Sequence, residues 1–116
     1  LGEEKDWRKN ALKFVSDTRT VIVRNGKDGS YGFSINEEEK AAAFNVKVED
    51  TVGAGDVYNA GFISARLNGQ SLKESLILGN AVSGYTVSRK GARSSPDQTE
   101  LKRFLRVHQA EVEERR

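Results

Sequence analysis

The residues best suited to chemistry lie in one loop, Asp-Thr-Val-Gly-Ala-Gly-Asp at residues 50–56. The loop stands between an alternating segment at 44–48, which predicts a strand, and a segment at 57–67, which predicts a helix. Small residues at 53–55 let the backbone turn sharply and come close to a ligand. Their amide N–H groups, at a helix start, have no partner within the helix, and the helix dipole favours an anion there.

A carboxylate, Asp56, stands at the rim of this predicted anion site. An anion site beside a carboxylate is suited to moving a phosphoryl group onto a hydroxyl, because that reaction depends on positioning and on charge stabilisation. A plainer interpretation stays open. In it, Asp56 is only the N-cap of the helix, and Gly53 and Gly55 serve only the turn.

The wider run from Asp50 to Ile63 resembles the second signature of the PfkB, or ribokinase-like, family of sugar and nucleoside kinases. The constrained positions that match are Asp50, Thr51, Gly53, Ala54, Gly55, Asp56, Ala60, Gly61, Phe62 and Ile63. The resemblance implies ATP-dependent phosphoryl transfer to a hydroxyl of a sugar or related small molecule. It assigns Asp56 as the catalytic base. It assigns Gly53, Ala54 and Gly55, with the Asp56 amide, as the anion hole.

The same resemblance implies an α/β fold, namely the C-terminal part of a ribokinase-like (Rossmann-like) three-layer domain. Its sheet is mostly parallel, with an antiparallel hairpin at the edge. The apolar run at 20–24 is typical of a strand buried on both faces of a parallel sheet. Residues 30–35 alternate as a half-buried strand does, 36–40 form a charged turn, and 41–48 return as a second strand of a hairpin.

The turn after residue 24 is the first part of a nucleotide site that the resemblance implies. In the family, a strand here ends in a Thr-x-Gly-x-x-Gly turn that contacts the nucleotide. Gly26 and Gly29 match that spacing, Asn25 lies within the turn, and Arg24 stands where the family usually has threonine. The plainer interpretation is an ordinary turn, since Asn-Gly and Asp-Gly are common turn dipeptides.

A helix at about 72–89 is the second part of that site. Ser71 and Glu74 predict a capping box at its start, after a preceding helix that ends at Asn68-Gly69. Its middle is small-sided, with Gly79, Ala81, Ser83 and Gly84. Small residues permit close approach either of another helix or of a flat base. The resemblance places this helix near the adenine, with Asn80 at a position that can touch it.

The two ends of the chain predict helices as well. Residues 3–16 carry an apolar stripe that includes Trp7, which we interpret as a core or docking residue. Ser95 and Pro96 predict the N-cap and first position of a last helix. Its apolar stripe consists of Leu101, Phe104, Leu105, His108 and Val112. Because His108 is the one histidine and the chain has no cysteine, we interpret it as structural and expect no metal cluster around it.

Two further sites rest on weaker signals. Many family members bind a monovalent cation, usually potassium, beside the anion hole. The resemblance implies Asp50 as its side-chain ligand, and it offers the carbonyls of Val52, Val87 and Lys90, with Ser95, as further ligands. The alternative is that Asp50 caps the loop's own amides. The basic group Arg89, Lys90 and Arg93 either holds phosphates or is a solvated patch at a helix C-terminus.

Length and composition bound the remaining possibilities. The chain has 116 residues, a net charge of +2 and interspersed charges, which argues against a nucleic-acid partner despite a pI of about 9.0. No apolar run is long enough to span a bilayer, so we expect no membrane partner. The absence of cysteine makes a reducing cytoplasm the default.

The chain contains no methionine, and family members are much longer. We therefore expect residues 1–116 to be a single partial domain, the C-terminal nucleotide-binding and catalytic portion of a kinase. The family's Asn-x-x-Glu magnesium motif, N-terminal sugar motif and β-sheet lid have no counterpart here. ATP and Mg²⁺ are the implied cofactors, and a homodimer of the full-length protein through the lid is one expectation. The alternative function is a non-catalytic nucleotide-binding or assembly module.

Overall fold

The computed structural model describes residues 9–15, 20–89 and 96–115. Within these ranges the regular elements after residue 20 are β1 (Val21–Arg24), β2 (Ser30–Phe33), β3 (Glu38–Ala41), α1 (Ala54–Leu67), α2 (Leu72–Val87), α3 (Gln98–Val107) and α4 (Gln109–Arg115). A 3-10 turn, Gly26–Asp28, joins β1 to β2. Of the predicted first helix, residues 9–12 are helical, whereas 3–8 and 16, with Trp7, lie outside the described residues.

The described strands form one antiparallel sheet in the order β1-β2-β3. The predicted hairpin is confirmed, with Ser30 opposite Ala41 and Phe33 opposite Glu38. Its second strand comes earlier than predicted, at 38–41 instead of 41–48, and residues 42–48 have no regular secondary structure. The charged segment can be a strand because β3 is the last strand of the described sheet, where charged side chains stay in water.

Two predictions about strand burial are wrong. β1 is half-buried to exposed and pairs antiparallel with β2, whereas its apolar run suggested a strand buried on both faces of a parallel sheet. β2 is buried at all four positions instead of alternating. Both of its faces are covered: Tyr31 and Phe33 pack with Ala11, and Gly32 lies against Leu72 at the start of α2.

Close contact between α1 and α2 sets the geometry beneath the loop at 50–56. A Cβ on Gly61 of α1 would lie 2.6 Å from a methyl of Val82, and one on Gly79 of α2 would lie 2.7 Å from the ring of Tyr58. The glycines therefore let the two helices approach closely, which is one of the two alternatives left open by the small-sided pattern of α2. The apolar face of α2, including Leu76 and Ile77, lies in the main core.

Helix ends follow the predicted signals in part. α1 ends at Asn68 with Gly69 in the left-handed conformation (φ 79°), and the Ser71 hydroxyl at the start of α2 accepts from the Glu74 amide at 3.1 Å. The N-cap of α3 is Asp97, which forms a capping box with Glu100. The prediction of Ser95 as the N-cap and Pro96 as the first helical residue is therefore wrong, because the helix begins two residues later, at Gln98.

The last predicted helix is two helices, α3 and α4, because the chain leaves helical geometry at His108 (φ −100°, ψ 24°). Phe104 and Val112 of the predicted stripe nevertheless both enter the main core.

Candidate functional site

A cavity of about 530 Å³ opens where the turn after β1, the segment 43–48, the start of α1 and one side of α2 meet. Its walls contain glycines, apolar side chains and a few polar groups. They are formed by Arg24, Gly26, Gly29, Ala43, Phe44, Asn45, Val46, Val48, Thr51, Ala54, Tyr58, Asn80, Ser83, Gly84 and Val87. A mostly apolar concave wall with a few polar groups is typical of a small-molecule site.

The structure brings most of the residues predicted for nucleotide binding to this cavity. Gly26, Gly29 and Asn80 all line it. Asn25 does not line it, and its side-chain amide donates to Asp28 at 3.4 Å. Gly29 has φ 97°, and a Cβ there would lie 2.1 Å from the carbonyl oxygen of Ala41, so the close packing of turn and hairpin requires glycine.

The predicted anion loop leads directly into α1. Gly53 is the N-cap in the left-handed conformation (φ 81°), and α1 begins at Ala54, three residues earlier than predicted. The amide of Val57, directly after the loop, donates to the Gly53 carbonyl at 3.1 Å, and the amide of Ala54 donates to the Thr51 carbonyl at 3.3 Å. The amides of Gly55 and Asp56 are therefore in the first turn, where N–H groups lack intrahelical acceptors.

Asp56 is the third residue of α1, so the interpretation of this residue as the N-cap is wrong. Its side chain is exposed, and it makes no hydrogen bond or ion pair with any residue that the structure describes. Asp56 does not itself line the cavity, but Ala54 and Thr51 beside it do. A carboxylate exposed at the start of a helix can contact a hydroxyl from solvent or substrate.

The contacts of Asp50 favour capping over cation binding. One of its carboxylate oxygens accepts from the Val52 amide at 2.9 Å. The Val87 carbonyl, a predicted cation ligand, accepts from the amides of Glu49 (2.6 Å) and Asp50 (3.1 Å). Lys90 and Ser95 lie outside the described residues, and the cation site stays a prediction.

A buried polar network ties α1 to the sheet and to α2. The Tyr58 hydroxyl donates to Ser30 Oγ at 2.7 Å, and Ser30 Oγ donates to Asn80 Oδ1 at 3.1 Å. Asn80 Nδ2 donates to the carbonyls of Ala41 (2.9 Å) and Ala42 (3.2 Å). Burial raises the pKa of Tyr58, and the Ser30 hydrogen bond and the charge of Arg24 oppose part of that rise.

Sequence patterns did not point to Tyr58 or Ser30, because the partners in this network are up to 50 residues apart. The local sequence offered only a hydroxyl-bearing side chain in each predicted element, Ser30 in the strand and Tyr58 in the helix. Asn80, predicted as an adenine contact, uses both side-chain atoms within the protein, so the cavity wall at this point is held rigidly.

α4 binds the segment that contributes Ala43 and Asn45 to the cavity wall. Arg115 Nε donates to the Ala42 carbonyl at 2.9 Å, and Arg115 Nη2 donates to the Ala43 carbonyl at 2.8 Å. The Asn45 amide donates to Glu111 at 2.8 Å. These bonds use backbone groups of a segment without regular structure, which fixes its path.

His108 is structural in its contacts, as predicted. Its ring lies 4.3 Å from that of Phe104, and its Nδ1 is 2.5 Å from Glu111. Of the predicted basic group, Lys90 and Arg93 lie outside the described residues, and Arg89 packs over the Tyr85 ring at 3.6 Å. Among the described helices, none is long and apolar enough to cross a membrane.

Comparisons with known proteins bear on the family and the fold of the chain. The model of the pfkB family carbohydrate kinase matches residues 1–99. The chain is 41% identical over 93 residues to the ATP-dependent 6-phosphofructokinase of Thermoanaerobacterium thermosaccharolyticum, covering 76% of this chain and 28% of that protein.

Solved structures resemble it as well. A ribokinase from Thermotoga maritima has a TM-score of 0.71 at 37% identity, covering 76% of this chain and 30% of that one. A putative ribokinase II from E. coli in complex with ATP and Mg²⁺ has a TM-score of 0.76 at 25% identity, covering 90% and 33%. The chain thus has a ribokinase-like fold and spans roughly a third of the length of these proteins.

Proposed function

Because this chain belongs to the pfkB family of carbohydrate kinases, we propose that it forms the catalytic and nucleotide-binding part of a kinase. The kinase transfers the γ-phosphoryl group of ATP to a hydroxyl of a sugar or related small molecule. The observation that carries the proposal is the meeting of two predicted sets of residues at one cavity. Gly26, Gly29 and Asn80 of the nucleotide set and Thr51 and Ala54 of the anion loop line the same walls.

The cavity suits a nucleotide in shape and in polarity. Its apolar wall, which includes Phe44 and Val46, accommodates a base. The start of α1, at Ala54, lies on the same cavity and presents amides that favour phosphate oxygens. A nucleotide with its base in the cavity and its phosphates at α1 therefore uses both features.

We assign Asp56 the role of acting on the acceptor hydroxyl. In the proposed reaction, its carboxylate accepts the proton of the acceptor hydroxyl as that oxygen attacks the γ-phosphorus. The bond between the γ-phosphorus and the β–γ bridging oxygen breaks, and ADP leaves. A carboxylate is sufficient, because in a loose transition state the proton needs to leave only late. The amides of Gly53, Gly55 and Asp56 stabilise charge on the transferring group, an interaction whose removal typically costs about 2.7–4 kcal/mol. The Ala54 amide, predicted for the same role, donates instead to the Thr51 carbonyl at 3.3 Å.

Magnesium enters this scheme with ATP. Among the described residues there is no group of three or more His, Cys, Asp or Glu that could hold a metal ion. Mg²⁺ that arrives with ATP would be bound mostly by phosphate oxygens and water, and it would neutralise charge on the β- and γ-phosphates.

The test is transfer of labelled γ-phosphate from ATP to a panel of pentoses, hexoses, sugar acids and nucleosides, with Mg²⁺ present. It is run on the protein in its full natural length and on residues 1–116. Transfer to one class of acceptor by the full-length protein is the expected result and names the acceptor. Binding of ATP without transfer to any acceptor would contradict the proposal and favour a non-catalytic nucleotide-binding module.

A further inference from the structure

A second cavity, of about 370 Å³, lies between the segment 45–47, the C-terminal end of α2 and α3. We call it the α3 cavity. Asn45 and Val46 line it and also line the cavity described above, so the two cavities share this segment as a wall. Its wall also includes the buried residues Tyr85 and Phe104. The proposed kinase reaction uses no side chain of α3.

Basic side chains outnumber acidic ones in the α3 cavity. Among the described residues, Lys47, Arg89 and Arg103 are the basic side chains of its wall, and Glu100 is its one carboxylate. Lys47 pairs at 3.4 Å with Glu49, which does not line the cavity, so the charge available to a ligand is mainly that of the two arginines. The cavity on the other side of α3 has balanced charge, with Lys102, Arg106, Glu74 and Glu113. An anion is therefore the favoured ligand of the α3 cavity.

The carboxylate of Glu100 is already committed to local hydrogen bonds. Its Oε2 accepts from the Tyr85 hydroxyl at 2.5 Å, and its Oε1 accepts from the Asp97 amide at 3.1 Å. These bonds lower the pKa of Glu100, and the charges of Arg89 and Arg103 lower it further, although burial opposes the change. Both guanidiniums are thus near one carboxylate, but neither forms an ion pair with it or with another acidic side chain that the structure describes.

The guanidinium of Arg89 is oriented before any ligand binds. Its Nη1 donates to Ser88 Oγ at 3.1 Å and to the Tyr85 carbonyl at 3.4 Å, and its Cζ lies 3.6 Å from the centroid of the Tyr85 ring. Nε and Nη2 donate to no residue within the described ranges. These two nitrogens form the edge of a guanidinium that matches two oxygens of a phosphate group.

Arg103 supplies a second cation from α3. Its side chain is exposed, and it makes no hydrogen bond or ion pair with the part of the chain that the structure describes. Fixing a long exposed side chain costs conformational entropy, so each bond from Arg103 should contribute less than one from the oriented Arg89. Because the two cations come from α2 and α3, an anion bound to both would link these helices.

We propose that the α3 cavity binds a small phosphomonoester through Arg89 and Arg103. The carbon part of the ligand packs against Val46 and Phe104, which line the same cavity. The site is separate from the cavity proposed for the nucleotide, and it does not depend on the proposed kinase activity. Since Val46 lines both cavities, a ligand bound here restrains a segment that also shapes the nucleotide cavity.

The experiment follows amide signals by NMR while phenyl phosphate is added to the protein in its full natural length. Signals of residues 103–107 report on the α3 cavity, whereas those of Gly53 and Gly55 report on the anion loop. Arg103→Gln removes one of the proposed ligands, and Arg103→Lys keeps the charge but loses the fork. Lys102→Gln is the matched control, because it removes the same charge from the neighbouring position and Lys102 lines the other cavity.

We expect phenyl phosphate to shift the signals of 103–107, and phenol, which lacks the phosphate, to shift them far less. Arg103→Gln should weaken this binding by about 10-fold, as loss of one charge-assisted hydrogen bond does. Arg103→Lys should fall between wild type and Arg103→Gln, and Lys102→Gln should bind as wild type does.

Three results would overturn the proposal. The first is a wild type in which phenyl phosphate shifts only Gly53 and Gly55, or shifts nothing. The second is equal weakening in Lys102→Gln and Arg103→Gln, which would mean that the ligand responds only to the net charge of α3. The third is equal binding of phenol and phenyl phosphate at 103–107, which would make the cavity an apolar site with no role for the arginines.

Discussion

The guanidinium of Arg115 donates to the carbonyl oxygen of Ala43 over 2.8 Å, across 72 residues of sequence. Its centre also lies 5.1 Å from the Phe44 ring, and the edge of that ring meets Phe104 at 5.5 Å. Phe44 is 5% exposed. The segment around Ala43 and Phe44, which forms part of the cavity wall, is therefore held by contacts with α3 and α4. These contacts come from residues beyond residue 99, where the family match ends.

Replacing Arg115 tests whether this contact shapes the cavity. Arg115→Ala removes hydrogen bonds to the carbonyls of Ala42 and Ala43. We expect it to lower the free energy of unfolding by about 1.5–3 kcal/mol, the usual range for bonds to a charged group. Because the loss is local, hydrogen exchange at residues 43–46 should rise and KM for ATP should increase more than kcat falls.

Arg106→Ala serves as the control, since Arg106 lies away from this wall of the cavity. Arg115→Lys should restore part of the protection, because an ammonium reaches one carbonyl but not two. Unchanged exchange at 43–46 in Arg115→Ala would show that the segment keeps its path without α4.

Glu111 should make the stability contributed by α4 depend on pH. Burial would raise the pKa of its carboxyl, but hydrogen bonds from His108 and the Asn45 amide, with the charge of Arg115, outweigh burial and lower the pKa below its ordinary value. A lowered pKa in the folded state adds stability above the unfolded-state pKa. That stability is lost as the pH falls through the folded-state value.

Urea unfolding is measured near neutral pH and at a pH well below the ordinary glutamate range. Glu111→Gln should destabilise the protein near neutral pH, and the difference from wild type should shrink in acid. Glu114→Gln, at an exposed position on the same helix, should show no such change. A Glu111→Gln effect of equal size at both pH values would contradict the assignment of this carboxylate.

The Tyr58–Ser30 hydrogen bond should couple the start of α1 to the sheet. Tyr58→Phe removes the hydroxyl without changing the ring that packs on Gly79. A double-mutant cycle with Ser30→Ala, measured by urea unfolding, should give a coupling energy of about 0.5–1.5 kcal/mol. Additive effects of the two substitutions would mean that the two hydroxyls do not interact in solution.

The two interpretations of Asp50, capping and cation binding, predict different responses to potassium. If Asp50 only caps the Val52 amide, the activity of the kinase should be the same in potassium and in a large organic cation, and Asp50→Asn should mainly lower stability. If it binds a monovalent cation, potassium should activate the wild type, and Asp50→Asn should lose that activation. Since the Val87 carbonyl already accepts two amides, we expect the first result.

Local signals in the sequence were sufficient for much of the helical structure. Gly69 after Asn68 ends α1, and Ser71 begins α2, because caps depend on residues within a few positions. The start of α1 was predicted three residues too late, because Gly53 and Gly55 have low helix propensity and are typical of loops. In the structure Gly55 is nevertheless in the first helical turn.

The prediction of a strand at 42–48 was wrong, although the alternating pattern of this segment is typical of a strand. Its backbone bonds instead with side chains from other parts of the fold: Asn80 and Arg115 share the Ala42 carbonyl, and Glu111 takes the Asn45 amide. Such partners lie 38 to 73 residues away, and no local pattern reveals them. That the loop at 50–56 leads into a helix was predictable from its own residues, whereas the contacts of Tyr58 and Ser30 required the fold.

The most direct test of the proposed chemistry is the kinetics of Asp56→Asn in the protein at its full natural length. The substitution keeps the shape of the side chain and removes the base. We expect kcat to fall by several orders of magnitude while the dissociation constant for ATP hardly changes, because Asp56 acts on the acceptor hydroxyl. Ser64→Ala, at an exposed position further along α1, should behave as wild type. Turnover of Asp56→Asn near the wild-type rate would contradict the assignment of Asp56 as the catalytic base.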